Sequence, residues 1–205
     1  MSAAPLIHVV DDDESMRTAV LELLVAAGFE ARGYASTGEF LLRPAADRPG
    51  CVLLDIRMPG PSGLELQAAL LRQGVALPVV FLTGHADVAT SVRAMKAGAV
   101  DFLEKPVGRD VLLEALHRAL ARNAAEREIR EEAQGQSMRL AALTPREREV
   151  FERLVAGKRN KEIAAELGIG LRTVKAYRAQ LMVKLGVASP AELGRLAGER
   201  HDASS

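Results

Sequence analysis

The sequence has one cysteine, no tryptophan and no net charge across 205 residues. The single cysteine, Cys51, rules out an internal disulfide framework and a cysteine-based zinc site. No apolar run approaches the ~18–20 residues of a membrane span. The opening MSAAPLIHVVDDDE sets four acids behind a five-residue apolar stretch, which is not the pattern of a secretory leader. A soluble, cytoplasmic protein is expected, with no membrane partner. Hydrophobic residues make up 48% and charged residues 26%, near the globular average, so wholesale disorder is excluded. At ~100–200 residues per domain, the length allows one or two domains.

The zero net charge hides an asymmetry. Residues 1–125 carry 12 basic and 15 acidic side chains, and residues 140–205 carry 12 and 8. Within 158–184 the count is 7 against 2. An acidic front and a basic back point to two domains with different partners, the back one suited to a polyanion.

The front half alternates short apolar runs with helix-period stretches. The expected strands are Leu6–Val10, Glu30–Tyr34, Cys51–Asp55, Pro78–Thr83 and Ala99–Leu103. Three of them are almost continuously apolar, as strands covered on both faces are. Helices are expected over Glu14–Ala27, Leu64–Gln73 and Asp87–Ala97, each closed by glycine, with another from near Arg109. Ser36-Thr37-Gly38-Glu39 reads as a capping box. Five β-α units predict an α/β fold with a doubly wound, five-stranded parallel sheet over residues 1–122. Residues 123–142 read as a helical extension fading into a linker near Gly135–Ser137. Residues 143–205 read as an all-α domain of four helices. Thr144-Pro145-Arg146-Glu147 and Ser189-Pro190-Ala191-Glu192 mark two helix starts. Asn160 is expected to cap a helix Lys161–Leu167, and a Gly-Ile-Gly turn leads to a basic helix Leu171–Leu185. That is a helix-turn-helix pattern.

Ligands of an open α/β sheet bind beyond the carboxyl ends of its strands. Asp11, Asp12, Asp13, Asp55, Thr83 and Lys105 all fall at such ends. Clustered carboxylates resist ionising together unless a cation neutralises them, and a hard divalent ion such as Mg²⁺ suits oxygen ligands. An ionised aspartate beside it can attack a phosphoryl group. Lys105 offers a cation and Thr83 a hydroxyl for the phosphoryl oxygens. Asp13 is better read as a helix cap. The short Asp11-x-Asp13 pattern also allows a phosphatase of the haloacid-dehalogenase type.

The segments VVDDDES, LLDIRMPGPSG, VVFLTGHAD and AMKAGAVDFLEKP resemble response-regulator receiver domains. The resemblance implies Asp55 as phospho-acceptor, with Asp11, Asp12 and the backbone carbonyl of Arg57 completing a Mg²⁺ site. It implies Thr83 and Lys105 as phosphoryl-binding groups, and Phe102 as a rotating switch aromatic that lacks the tyrosine hydroxyl. A cis Lys105–Pro106 bond is also implied. The stretch LTPREREVFERLVAGKRNKEIAAELGIGLRTVKAYRAQLMVKLGVASPAEL resembles the LuxR/FixJ/NarL-type DNA-binding domain. It departs from that family at Gly170, where serine is usual, and at Tyr177, where histidine is usual.

On a 3.6-residue helix, Val174, Leu181 and Leu185 share the core side. Arg172, Lys175, Ala176 and Ala179 then face outward, able to read a major groove. Lys158, Lys161, Thr173, Arg178 and Lys184 are expected at phosphates.

Together the resemblances imply a transcription factor controlled by phosphotransfer from a sensor histidine kinase, not a metabolic enzyme. Phosphorylation would favour a homodimer through a surface near Val92, Lys96 and Val100, and the dimer would bind double-stranded DNA. A constitutively dimeric DNA-binding protein with a silent receiver is the alternative. Of the remaining residues, His8, Cys51 and the stripe Leu113, Leu116, Leu120 read as core. His117 and His201 read as surface groups. His85 lies near the acidic rim.

Overall fold

The computed structural model describes residues 4–42, 48–84, 87–189 and 192–193. It divides into two compact units, Met1–Ile129 and Arg130–Ser205.

The first unit is built in the order β1 (Leu6–Val10), α1 (Glu14–Ala26), β2 (Glu30–Tyr34), α2 (Thr37–Leu41), β3 (Gly50–Leu54), α3 (Gly63–Arg72), β4 (Val79–Thr83), α4 (Val88–Lys96) and β5 (Asp101–Glu104). The strands pair in parallel in the order β2-β1-β3-β4-β5. Side chains alternate across a strand. Val10, Val52, Leu54 and Phe81 therefore enter one core, and Ile7, Val9, Cys51, Leu53 and Leu82 the other. Every residue of β1, β3 and β4 is buried, while the edge strand β2 alternates. The expected strands all form, shifted by up to two residues at their ends. The Asp13 side chain accepts from Met16 N at the start of α1, as expected; at α2 Ser36 Oγ accepts from Glu39 N, but the expected box forms only in half, because Glu39 Oε2 accepts from Ala35 N rather than Ser36 N.

Helix α5 (Arg109–Ala141) begins in this unit. Leu112, Ala115, Leu116 and Ala119 are buried against the sheet. Asn123, 2% exposed, ties the helix to the sheet: Gly50 N donates to its Oδ1 at 3.0 Å, and its Nδ2 donates to Ala76 O at 2.9 Å. The expected fading near Gly135–Ser137 does not occur, because α5 continues to Ala141. A lone glycine costs about 1 kcal/mol in a helix interior, too little to stop a run of strong helix formers. The last turn also gains tertiary support, since Leu140 and Leu143 pack into the core of the second unit.

That second unit continues with α6 (Pro145–Val155), α7 (Asn160–Leu167) and α8 (Leu171–Leu185). Val150, Phe151, Ile163, Val174, Leu181 and Leu185 form its centre. The Thr144–Glu147 capping box opens α6. Asn160 is not the cap of α7 but its first residue; Arg159 holds the cap position, and Glu162 Oε2 accepts from its backbone N–H. Asn160 Oδ1 instead accepts from Arg178 Nη1 at 3.3 Å. Gly168 ends α7 at φ 64°, a left-handed conformation that favours glycine. Of the fourth expected helix start, Pro190 and Ala191 lie outside the described residues, as do His85 and His201. Glu192 N does donate to Ser189 Oγ, and Leu193 is buried.

His8 sits inside the first unit, 3% exposed, with Nδ1 2.9 Å from Tyr34 OH and its ring edge-on to Phe40. Burial, helped by the charges of Arg32 and Arg48, lowers its pKa from 6.5 to about 4. The folded state therefore favours neutral His8, and stability falls as pH drops from 6.5 towards 4. The slope attributable to one proton is at most about 1.4 kcal/mol per pH unit. Urea unfolding at several pH values should show a flatter dependence across that window in His8→Gln than in the wild type. An unchanged slope would remove His8 as its source.

Candidate functional site

In the sheet, β1 lies between β2 and β3, so the chain leaves β1 towards one side and returns on the other. Crevices open at the carboxyl ends of strands where the order reverses in this way. The backbone fixes both aspartate positions there. Asp11 N donates to Tyr34 O at 3.1 Å, and Asp55 N donates to Val10 O at 2.9 Å, prolonging the ladders past β1 and β3. Gly63, at the start of α3, lies against this segment. A Cβ there would stand 2.2 Å from Asp55 O, so only glycine allows α3 to begin so close to the acidic residue.

Carboxylate oxygens of Asp11, Asp12 and Asp55 all lie within 4.8 Å of one another. Asp11 is buried, Asp55 half-buried and Asp12 exposed. Lys105, which follows β5, places Nζ 2.7 Å from Asp11 Oδ2 and 3.5 Å from Asp55 Oδ2. Asp55 Oδ1 also accepts from Ile56 N at 2.7 Å. Burial raises the pKa of Asp11, while the bonds from Lys105 and Asp13 N oppose the rise. The site therefore holds more negative charge than Lys105 alone offsets. Its donors are hard oxygens, so the set fits a divalent cation of the Mg²⁺ class.

Thr83 ends β4 and is 1% exposed; its backbone oxygen accepts from Lys105 N at 2.8 Å. Phe102 on β5 is half-buried, with its ring 6.2 Å from that of Phe81. Arg57 is exposed, two residues past Asp55. The Lys105–Pro106 bond is cis. Asp13 is spent on the α1 cap, which leaves the Asp11-x-Asp13 phosphatase pattern without its second free acid. Sequence reasoning missed Arg17, whose Nη1 donates to Asp11 O at 2.7 Å. The i to i+6 spacing gives no motif that would have exposed it. Cys51 is buried and its thiol pushed up to about 12, so it is an unreactive core group.

In the second unit, α8 turns Val174, Leu181 and Leu185 inward, as the helical period requires. Arg172, Thr173, Lys175, Ala176 and Ala179 are exposed. Arg178 is half-buried on Asn160. Lys161 is exposed. Two expected phosphate contacts are already ion-paired within the unit. Lys158 bonds Glu166, which also takes Arg153 Nε at 3.0 Å. Lys184 Nζ lies 2.6 Å from Glu147, a buried carboxylate held below its usual pKa chiefly by that lysine. The Glu147–Lys184 pair spans 37 residues, so no local pattern announces it. On α4, Val92 and Lys96 are exposed, whereas Val100 is half-buried against a core. Val88 and Met95, exposed at helical spacing from Val92, extend this apolar face beyond the residues the sequence suggested.

Residues 7–117 match the family model of the response regulator receiver domain, and residues 141–197 match that of the bacterial regulatory proteins of the luxR family. The transcriptional regulatory protein FixJ of Azorhizobium caulinodans is 43% identical over 93% of this chain and 90% of that protein. The chain is a FixJ-type response regulator. Nodulation protein W of Bradyrhizobium diazoefficiens is 40% identical, covering 95% and 86% of the two chains. Among solved structures, the response regulator StyR aligns with a TM-score of 0.86 at 43% identity, over 96% of this chain and all of that one. Full-length FixJ from B. japonicum aligns at 0.57 and 40% identity, over 96% and 97%. As a response regulator, the protein combines a CheY-like receiver with a LuxR-type helix-turn-helix domain and regulates transcription, rather than being a metabolic enzyme. Among the described residues no helix is long and apolar enough to cross a membrane.

The receiver's electrostatics give a direct test. Burial penalises the ionised form of Asp11 and raises its pKa. Asp11→Asn should stabilise the metal-free protein by about 1 kcal/mol, or about 2–4 °C in Tm. Calorimetry in chelator at pH 7.5 checks this; a lowered Tm would mean that the Lys105 contact outweighs the burial cost.

Proposed function

We propose that Asp55 is the phospho-acceptor of this regulator and that a partner histidine kinase is the donor. The supporting observation is the convergence of Asp11, Asp12, Asp55 and Lys105 at the switch point of the sheet. A carboxylate oxygen of Asp55 attacks the phosphorus of phosphohistidine. The P–N bond breaks, and its electron pair leaves with the imidazole nitrogen. Asp11, Asp12, Asp55 and the Arg57 carbonyl would hold Mg²⁺, which when bound supplies charge neutralisation for the phosphoryl oxygens. Lys105 pairs with one phosphoryl oxygen and the Thr83 hydroxyl donates to another. Phe102 then moves into the space that Thr83 vacates. A ligand shifts a conformational equilibrium only through contacts that differ between the two states, and the phosphoryl group supplies such contacts here.

The functional division we propose is receiver 1–122, helical connection 123–142 and DNA-binding domain 143–205, in the cytoplasm. The exposed Val88, Val92 and Met95 on α4 support a homodimer of receivers, with Lys96 and Val100 at its border. The same apolar face would also suit a constitutive dimer. In DNA, Lys175 is assigned to a guanine edge, Ala176 and Ala179 to thymine methyls, and Arg172 to the major groove. Thr173 and Lys161 are assigned to phosphates. Lys158, Arg178 and Lys184 would reach phosphates only by leaving partners inside the unit.

Light scattering with Mg²⁺, with and without beryllofluoride, separates the two dimer readings. The expected result is a monomer that becomes a dimer with beryllofluoride, and no response in Asp55→Ala. A dimer present under every condition would favour the constitutive reading.

For the DNA-binding domain, Lys175→Ala should weaken binding to an operator obtained by in vitro selection by about 1–3 kcal/mol and relax selection at one base position. A uniform loss across all sequences would reassign Lys175 to the backbone.

A further inference from the structure

Two of the three clustered aspartates sit on a short turn between β1 and α1. Asp11 is still tied to β2, through its N–H on Tyr34 O, and Asp13 is tied to α1 as its cap. Asp12 stands exposed between them. Arg17, one turn into α1, reaches back over this turn. Its Nη1 donates to Asp11 O at 2.7 Å and faces Asp12 O at 3.5 Å. These two carbonyls belong to the peptide planes on either side of Asp12. Peptide planes are rigid, so holding both sets the backbone angles of Asp12 and the directions in which the Asp11 and Asp12 side chains leave the chain. The stem of Arg17 passes over β2. A Cβ at Gly33 would stand 3.1 Å from its Cδ and 3.2 Å from its Cγ, so the bare glycine makes room for this route. Arg17 is half-buried, and among the described residues it forms no ion pair; its donors serve carbonyls.

We propose that Arg17 is a positioning residue of the cation site: by holding the carbonyls of Asp11 and Asp12, it keeps their carboxylates beside that of Asp55. The inference rests on the reading that these three carboxylates hold a divalent cation. Their oxygens lie within 4.8 Å of one another, a crowding that mutual repulsion opposes. Without the clasp, the exposed Asp12 is the one free to swing outward. Charge and geometry act here in opposite directions. A guanidinium beside the acidic set opposes a second cation by Coulomb repulsion. A guanidinium that fixes two ligands favours it, because those ligands need not be ordered when the metal arrives. Groups that orient a metal's ligands commonly contribute about 10–100-fold to affinity, whereas salt and water screen a charge that is only half-buried. Geometry therefore outweighs charge, and the sign of the change on removing Arg17 separates the two.

The chain has no tryptophan to report metal binding, so Mg²⁺ titrations of the full-length protein are followed by amide NMR, with no phosphoryl donor present. The wild type should give saturable shifts at residues 11–13 and 55–57. Arg17→Met removes the donors and the charge together and should raise the Mg²⁺ Kd by about tenfold or more. Arg17→Lys keeps the charge on a shorter, more strongly hydrated group and should raise Kd by less. No saturation in the wild type would overturn the cation reading, and this inference with it. A saturating wild type whose Kd is matched or bettered by Arg17→Met would overturn the role of Arg17 and leave the cation site standing. A Kd in Arg17→Lys equal to that of the wild type would overturn it too, because a charge without the guanidinium would then suffice. The titration reads folded protein, so a contribution to stability alone would lower Tm in chelator and leave Kd unchanged. If Arg17→Met does not fold, Arg17→Lys decides alone.

Discussion

Three carboxylates whose oxygens lie within 4.8 Å of one another repel, and one of them is buried. The rest of the receiver can be understood as the means of holding them there. The backbone ladders fix Asp11 and Asp55 beyond adjacent strands, so the crowding cannot relax by shifting a loop. Both faces of the sheet are filled with interlocking side chains, which makes such a shift cost core packing as well. Lys105 offsets part of the charge from a third strand, at 2.7 and 3.5 Å. The remaining negative charge is of the kind a divalent cation with hard oxygen ligands neutralises.

The same sheet connects this rim to the surface. Lys105 N is bonded to Thr83 O, and the next residues back along β5 lead to Phe102, whose ring meets Phe81 in the core. The C-terminal end of α4 is held from below by Gln67, while its outer side carries Val88, Val92 and Met95. Only Ala94 of that helix is buried. An element with so little buried area is the one a modest change in contacts can move, because cores resist small displacements and thinly anchored helices do not.

Strand positions and most helices were legible in the sequence because they depend on local rules. Continuous apolar runs such as LIHVV and CVLLD, and caps such as Asp13, Ser36 and Thr144, carry their own geometry. The acidic cluster was legible for a related reason: parallel topology sends every strand end to the same rim. What was not legible depends on distant partners. Gly135 suggested a break in α5, but Leu140 and Leu143 are recruited into a core built mainly from residues after 143. Asn160 has the side chain of a cap, yet Arg178 claims its oxygen and the cap position falls one residue earlier. Arg17 on the Asp11 carbonyl and Gln67 under the end of α4 leave no mark on residue spacing.

Ion pairing also changes how the basic half is to be counted. The sequence between 158 and 184 has seven cations against two acids, which reads as a strongly basic face. In the folded unit Glu166 holds both Lys158 and Arg153, and Glu147, from outside that window, holds Lys184. Glu147 is buried, so its charge needs a partner, and Lys184 supplies one at 2.6 Å. These lysines therefore do two things that sequence alone cannot separate: they brace α6 against α8 and close the approach to α7, and they lower the free charge facing DNA. The exposed cations left without such a pair among the described residues are Arg159 and Lys161 at the start of α7 and Arg172 and Lys175 at the start of α8, the latter two where the recognition helix of a helix-turn-helix enters a groove. Pairing Lys158 and Lys184 inside the unit while those four stay exposed shifts its free positive charge towards the starts of α7 and α8.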